Sequence, residues 1–477
     1  MKRMFGVVFS AALLSACAVS PPVHPGGPEP TQLAAQWYVP TTAHQGDTAQ
    51  LTAWWGRFED PVLVQWIERA QAQSPTLAAA RAQVVAARAA YLATDVLAGP
   101  QVSAVASASR AQSFDQTSVI ANTVRLGLQA SWAIDLWGGN KAGVVQSAAQ
   151  RTAALAGWHD ARTLVAAELA QTYFAQRLCQ VQLRVVERDR DSRTVTAEAV
   201  RHTERAGLTA PAVAALAQAS AADSAARARQ QSDVCERQLK ALVALTGLPE
   251  PEVRAALATA PGGHTSAAIE AALSVKAVPL DTLRQRPDVA QAQANWAAAA
   301  AGVGVARAEM LPSLSLSGSW LRNQYTTSNY DVGFNTWSIG PLSMTVPVVG
   351  RGALRARAEA AEAQYQASGV AYAATLRQAI AEVEQALVGL DGLRQREQAT
   401  ATALAGYSQS FKATEARYKV GFASLNELEE ARRLQLNAES ATVALQQERI
   451  NTWISLYVAL GGGFDPETQL SDTQEPS

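Results

Sequence analysis

The chain repeats itself, and that fact limits its fold more than any other. Ser74-Pro75-Thr76-Leu77 and Arg286-Pro287-Asp288-Val289 each open an alanine-rich run, 212 positions apart, and the same offset carries Pro100 onto Pro312 and Gly138 onto Gly350. A second set lies 214 apart: Ala167-Glu168-Leu169 with Ala381-Glu382-Val383, Gly207 with Gly421, and Leu245-Thr246-Gly247 with Ala459-Leu460-Gly461. Glycine and proline punctuation that holds register over such a distance means that one structural plan is used twice, with two residues inserted between about 140 and 167.

Each half has one order of elements. In the first repeat, 75–247, a helix ends at Gly99-Pro100, where proline lacks a donor and clashes with the preceding turn. A β-hairpin at 101–134 follows, then a long helix at 138–206 and a return helix at 210–247. The second repeat, 287–461, gives a helix, a hairpin at 313–346, a long helix at 351–419 and a return helix at 425–460. The strands announce themselves by a period of two: Ser313, Ser315, Ser317 and Ser319 share one face, while Leu314, Leu316, Gly318 and Trp320 share the other. Val102, Ala104, Ala106 and Ala108 alternate in the same way, as do Val124, Leu126, Leu128, Ala130, Trp132 and Ile134 against Arg125, Gln129 and Ser131. Strands of about ten residues are expected, the length that crosses a bilayer when tilted, with Gln112 to Ser118 and Arg322 to Asp331 as hairpin loops.

The long helices are free of proline from Lys141 to Arg205 and from Ala353 to Tyr418. At 1.5 Å per residue each spans roughly 100 Å. The second carries a heptad seam through Leu376, Val383, Leu390, Leu404, Phe411 and Tyr418, with Ala379, Ala386, Leu393 and Tyr407 at the partner position. Glu397, Thr400 and Thr414 interrupt it. Return helix and short helix together match one long helix in length, so each half is a helical bundle with a β-hairpin at one end and a helix-turn-helix tip at the other. The fold class is mainly α with a membrane β-barrel.

Composition agrees with packed rods rather than a thick core: 48% of residues are apolar, alanine prominent among them, and 17% are charged. Forty basic against 41 acidic residues, without a basic run, argue against a nucleic-acid partner. Five His and three Cys in no ligand-like spacing argue against a metal site or other cofactor. No Ser/His/Asp set, phosphate loop or paired carboxylates suggest an enzyme.

The N-terminus reads as an export signal over 1–16, with Lys2 and Arg3 before a short apolar stretch. Leu14-Ser15-Ala16-Cys17 resembles a bacterial lipobox, which makes Cys17 the lipidation site; Ala18 and Val19 supply no inner-membrane retention signal. A Pro/Gly-rich tether at 17–36 leads to an N-terminal periplasmic segment at 37–74. An equatorial segment at 248–286 joins the repeats, and 462–477 is a C-terminal tail. Four strands cannot close a barrel in lipid, so oligomerisation is required; three chains give twelve strands, whereas two leave too narrow a lumen.

From about residue 37 to 465 the chain resembles the TolC-like outer-membrane efflux family, in its NodT-type lipoprotein branch. The residues that carry the resemblance are the lipobox at Cys17, the run Trp54-Trp55-Gly56-Arg57-Phe58-Glu59-Asp60-Pro61-Val62-Leu63, Leu283-Arg284-Gln285-Arg286-Pro287-Asp288-Val289, Leu311-Pro312-Ser313-Leu314, and Arg417 to Leu425. The resemblance implies a homotrimer: a twelve-stranded β-barrel in outer-membrane lipid, continued by an α-helical barrel across the periplasm. It also implies a periplasmic adaptor and an inner-membrane transporter of the proton-driven RND type, together expelling drugs or other small molecules. An exit duct for type I protein secretion shares the architecture, and a non-conducting coiled-coil lipoprotein would explain the rods but not the strands.

Four expectations attach to residues. The tips, Gly207-Leu208-Thr209 and Gly421-Phe422-Ala423-Ser424, place an apolar residue after each turn glycine and are expected to dock the adaptor. Cys179 and Cys235 lie equally far from Gly207 and are expected to form a disulfide. Trp132, Trp137, Trp320 and Trp337 are expected to mark the lipid boundary, the last two near a hairpin tip, although burial between strands and helices suits Trp137 nearly as well. Glu427 and Glu430 are three apart on one helix face, at offsets from Gly421 where the resembled family holds the aspartates of its periplasmic aperture. The first repeat has Val213 and Leu216 there. Crowding in a threefold ring would raise some of these carboxylates; the alternative is a solvated face in which Glu427, Glu429 and Glu430 pair with Arg432 and Arg433.

Overall fold

The computed structural model describes residues 54–115, 117–259, 286–462 and 464. The signal segment, Cys17, the tether, most of 248–286 and most of the C-terminal tail lie outside the described residues. A 3₁₀ turn (Trp54–Phe58) leads into α1 (Pro61–Gln73), α2 (Pro75–Leu97), β1 (Gln101–Asp115), β2 (Thr117–Ile134), α3 (Gly139–Arg205), α4 (Pro211–Thr246) and α5 (Glu250–Thr259). Then come α6 (Pro287–Ala308), β3 (Ser313–Thr326), β4 (Asp331–Thr345), α7 (Arg351–Lys419) and α8 (Leu425–Ala459). Among the described residues, no helix is long and apolar enough to cross a membrane. The chain divides into two compact units.

The first unit holds the sheet with helical segments from 81–157 and 288–375. All four strands are antiparallel in the order β1-β2-β3-β4, so the hairpins of the two repeats pair with each other through β2 and β3. The rungs sort the side chains by face. Val102, Ala130, Gly318 and Ile339 share one rung and Ala104, Leu128, Trp320 and Trp337 another, all on the apolar face; Ser103, Gln129, Ser319 and Ser338 form a rung of the polar face. From Val124 to Ile134 the apolar band runs for about 34 Å along β2, or roughly 25 Å of bilayer at the usual barrel tilt.

The strands are longer than expected, at 15, 18, 14 and 15 residues. Backbone pairing continues beyond the apolar band: Asp115 pairs with Thr117, so most of the expected Gln112 to Ser118 loop is ladder. In the second hairpin, Thr326 pairs with Asp331 and only 327–330 turn, with the Thr327 N–H donating to the Tyr330 carbonyl at 2.9 Å. Alternation reports what faces lipid, and backbone hydrogen bonds do not stop where lipid does. The tryptophans also sit differently. Trp320 and Trp337 are rung partners in mid-strand, 53% and 72% exposed, rather than near the tip. Trp137 is half-buried and donates its indole N–H to the Pro312 carbonyl at 2.6 Å, which ties the strand-to-helix corner of one repeat to that of the other.

Small residues let the helices of this unit come close. A Cβ on Gly139 would stand 2.7 Å from that of Ala308, and one on Gly302 would stand 3.1 Å from the Gln146 amide. Trp296 of α6 lies parallel to Tyr365 and Tyr372 of α7, with centroids 5.9 and 5.6 Å away; two tyrosines seven apart on a helix share a face.

The second unit holds the described residues 54–80, 158–259, 286–287, 376–462 and 464. Its core joins Trp54, Trp55, Phe58, Trp66, Tyr173, Phe174, Trp453 and Tyr457, and Trp54 stacks on Tyr457 with centroids 4.6 Å apart. Asp60 starts α1 by accepting from the backbone of Val62 and Leu63 at 3.0 and 3.3 Å. It also accepts from the Tyr173 hydroxyl at 2.5 Å, and burial raises that phenol far above its ordinary pKa. The two repeats close their return helices alike. Arg69 donates to the carbonyl of Thr246 at 3.0 Å and Arg286 to that of Ala459 at 2.9 Å, each a cation on the last residue of its helix. Leu376, Ala379, Val383, Ala386, Leu390 and Leu393 are buried, whereas Leu404, Phe411 and Tyr418 are half-buried and Tyr407 is exposed. Glu397, a break in the seam, meets Arg449 of α8 at 3.1 Å.

Candidate functional site

The candidate site is the pair of helical tips in the second unit. Thr203 to Leu208 and Arg417 to Phe422 end α3 and α7 in the same way. Gly207 and Gly421 take positive φ, 72° and 81°. The following N–H returns to the carbonyl five residues back, Leu208 to Thr203 and Phe422 to Arg417, both at 2.8 Å. Gly207 and Gly421 themselves donate to Glu204 and Tyr418 at 2.8 and 3.0 Å. This is the paired-bond glycine stop of a helix, and it turns the next residue outward. Leu208 is 79% exposed and Phe422 75%. Behind them Val200, Ala214, Ala217, Leu425 and Leu428 pack the two hairpins together.

The return helices start differently. At the first tip Ala210 provides no side-chain cap, Pro211 follows it, and Thr209 donates to the Thr203 hydroxyl at 2.7 Å. At the second, Ser424 accepts from the Glu427 N–H at 3.2 Å while the Glu427 carboxylate accepts from the Ser424 N–H at 2.6 Å. Arg417 donates to the Phe422 carbonyl at 2.8 Å, fixing Ala423 and Ser424 in the turn.

Glu427 and Glu430 stand exposed on one face of α8. Within one chain both titrate below the ordinary glutamate value, Glu427 through the Ser424 backbone and hydroxyl and Glu430 through Arg433, which donates at 2.6 and 3.0 Å. The upward shift expected of a ring depends on other chains. Glu429 is the residue that sequence reasoning undervalued. It reaches inward to Arg432 at 2.6 Å, accepts from Ser220 at 2.6 Å and pairs with Arg193 of α3. Arg193 in turn holds Asp189 at 2.9 Å, and Arg432 reaches Thr196 at 3.2 Å. A largely buried ionic chain therefore locks the first hairpin to α8. Its only sequence signal was that Glu429 points away from its two exposed neighbours on the helix.

Further up the first hairpin, Cys179 of α3 and Cys235 of α4 are bonded, with Cα atoms 5.5 Å apart. The Gln231 amide donates to the Cys179 sulfur at 3.1 Å.

The family model described as "Outer membrane efflux protein" matches this chain twice, over residues 66–248 and 278–462. The chain belongs to the outer membrane efflux protein family. The two matches begin 212 residues apart and end 214 apart, the offsets at which the glycine and proline landmarks recur. The pyoverdine export outer membrane protein OpmQ of Pseudomonas putida is 28% identical over 96% of this chain and 97% of its own. Nodulation protein T of Rhizobium leguminosarum bv. trifolii is 28% identical over 96% and 97%. The crystal structure of the Campylobacter jejuni CmeC outer membrane channel superposes with TM-score 0.80 at 24% identity, covering 91% of this chain and 92% of that one. This outer membrane efflux protein is thus an outer-membrane channel component of efflux, with the internally duplicated fold of CmeC.

Proposed function

We propose that three copies of the chain join edge to edge, β1 of one to β4 of the next, into a twelve-stranded barrel that serves as the passive outer-membrane exit of a tripartite efflux pump. The observation that carries this is the sheet. It has one apolar and one polar face and ends in two edges, β1 and β4, that have no further strand beside them among the described residues. Each unpaired backbone group in hydrocarbon costs several kcal/mol, so an isolated sheet is unstable in the membrane. Closure by three chains removes every edge, puts the tryptophans toward lipid and leaves the serines around a wet lumen.

The partners are a periplasmic adaptor, docked on Leu208, Thr209, Phe422, Ala423 and Ser424 beside their turn glycines, and an RND-type inner-membrane transporter. Exposed leucine and phenylalanine at a hairpin end support docking, because a free tip has no use for them. Glu427 and Glu430 line the periplasmic aperture, and Cys17 carries the lipid. Export of pyoverdine by OpmQ, as its name states, supports a solute as cargo.

The test is single-channel recording of purified, crosslinked trimer in a planar bilayer. Discrete conductance is expected, with block by millimolar hexamminecobalt from the periplasmic side that Glu427→Ala/Glu430→Ala abolishes. A trimer that conducts nothing would return the chain to a coiled-coil spacer. Leu208→Asp/Phe422→Asp should leave conductance intact while ending adaptor crosslinking and efflux.

A further inference from the structure

We infer that Arg125 and its two symmetry copies form a positive ring inside the barrel that favours anionic solutes, a reading that rests on the trimeric pore proposed above. The strands carry few charges, and the rungs place them unequally. Arg110 and Asp331 lie on one rung, joined through Asn122 and Thr326, and Arg322 lies on the rung of Leu126. These rungs belong to the apolar, outward face, toward the hairpin turns.

Arg125 is on the other face. Its rung reads Ser107, Arg125, Asn323, Phe334. The flanking rungs of that face are Ser109, Thr123, Tyr325, Val332 and Val105, Gly127, Leu321, Thr336. None holds an acid. Arg125 is exposed and has no ion-pair partner among the described residues. Gly127, next to it on the same face and strand, adds no side chain to crowd it. The Asn323 amide is already committed to the Thr336 hydroxyl at 2.9 Å. The next acid along β1 is Asp115, eight rungs from Ser107, or about 27 Å along the strand.

Geometry makes this one arginine matter. Twelve tilted strands give a backbone radius of about 12 Å. An arginine extends about 6 Å from its Cα, which leaves the guanidinium roughly 6 Å from the axis and within the Debye length of ~8 Å at physiological salt. Three such charges at one height, over low-dielectric walls, act on every ion that passes, as arginine rings do in anion pores. The site takes small anions, singly or multiply charged, by charge and guanidinium hydrogen bonding.

The experiment uses the full-length trimer in a planar bilayer under a potassium chloride gradient, with hexacyanoferrate(III) added to each side in turn. The expected result is a chloride-to-potassium permeability ratio that Arg125→Gln lowers by about threefold and Arg125→Lys restores, with hexacyanoferrate block from the extracellular side that Arg125→Gln removes and Glu427→Ala/Glu430→Ala does not. An Arg125→Gln trimer that conducts with unchanged ion preference and unchanged block overturns the ring while leaving the pore standing. Absence of conductance in wild-type and variant trimers alike overturns the pore and the ring with it.

Discussion

The two tips of this molecule share a turn and little else. Both stop a long helix with a glycine at positive φ and the same pair of backbone bonds, and a Cβ at either glycine would meet nothing within 4 Å. What differs is how each hairpin is secured. The first is stapled by Cys179 and Cys235; the equivalent positions 214 further on are Leu393, buried in the seam, and Arg449, paired with Glu397. The second starts its return helix with Ser424 and Glu427, where the first has Ala210 and Val213. Duplication has kept the backbone solution and let the side chains that brace it diverge, so the tips should respond unequally to the same insult.

The largest asymmetry should come from reduction. The disulfide closes a loop with a sequence separation of 56, and the chain-entropy relation gives up to about 4 kcal/mol for a loop of that size. Cys179→Ala/Cys235→Ala should therefore raise hydrogen exchange in α3 and α4 near the tip while leaving α7 and α8 protected; equal loosening of both hairpins would refute the assignment of the staple to one of them. Next comes Glu429→Gln, which strips a largely buried carboxylate from Arg193 and Arg432 and should cost about 3 kcal/mol in a denaturant melt. Ala215→Glu, the equivalent position in the first repeat, gains no such partners and should fail to reproduce the lock.

Smaller effects separate the caps. Ser424→Ala should destabilise α8 by about 1 kcal/mol, and Ala210→Ser should stabilise α4 by a similar amount or less, since its cap is vacant. The smallest effect is on acidification. Glu427 is held below its ordinary value, so its contribution is present above the unfolded pKa and is lost as pH falls through the folded one. Below about pH 4.5 the second tip should fray while the first, with Val213 at that offset, does not change; exchange rates at both tips across that range would decide it.

Much of the fold was legible because glycine and proline act through the backbone, whose needs do not depend on neighbours. Gly207, Gly421, Pro100 and Pro312 placed the turns for that reason. The strand ends were misjudged at Gln112 and Arg322 because polarity follows the bilayer, while pairing follows the backbone. The seam breaks at Glu397 and the charge run at Glu429 had partners more than fifty residues away, Arg449 and Arg193, which no local period reveals. The aromatic core around Trp54 and Tyr457 was likewise hidden, since it joins residues near opposite ends of the chain.

The open edges of the sheet carry a consequence for inheritance of defects. If three chains must each offer an intact β1 and an intact β4, one faulty copy spoils the work of two sound ones. In a cell making equal amounts of normal and edge-damaged chain, random assembly leaves only about one trimer in eight free of the lesion. A proline placed in β1, which has none, would thus behave as a dominant poison of export, far out of proportion to its share of the protein made.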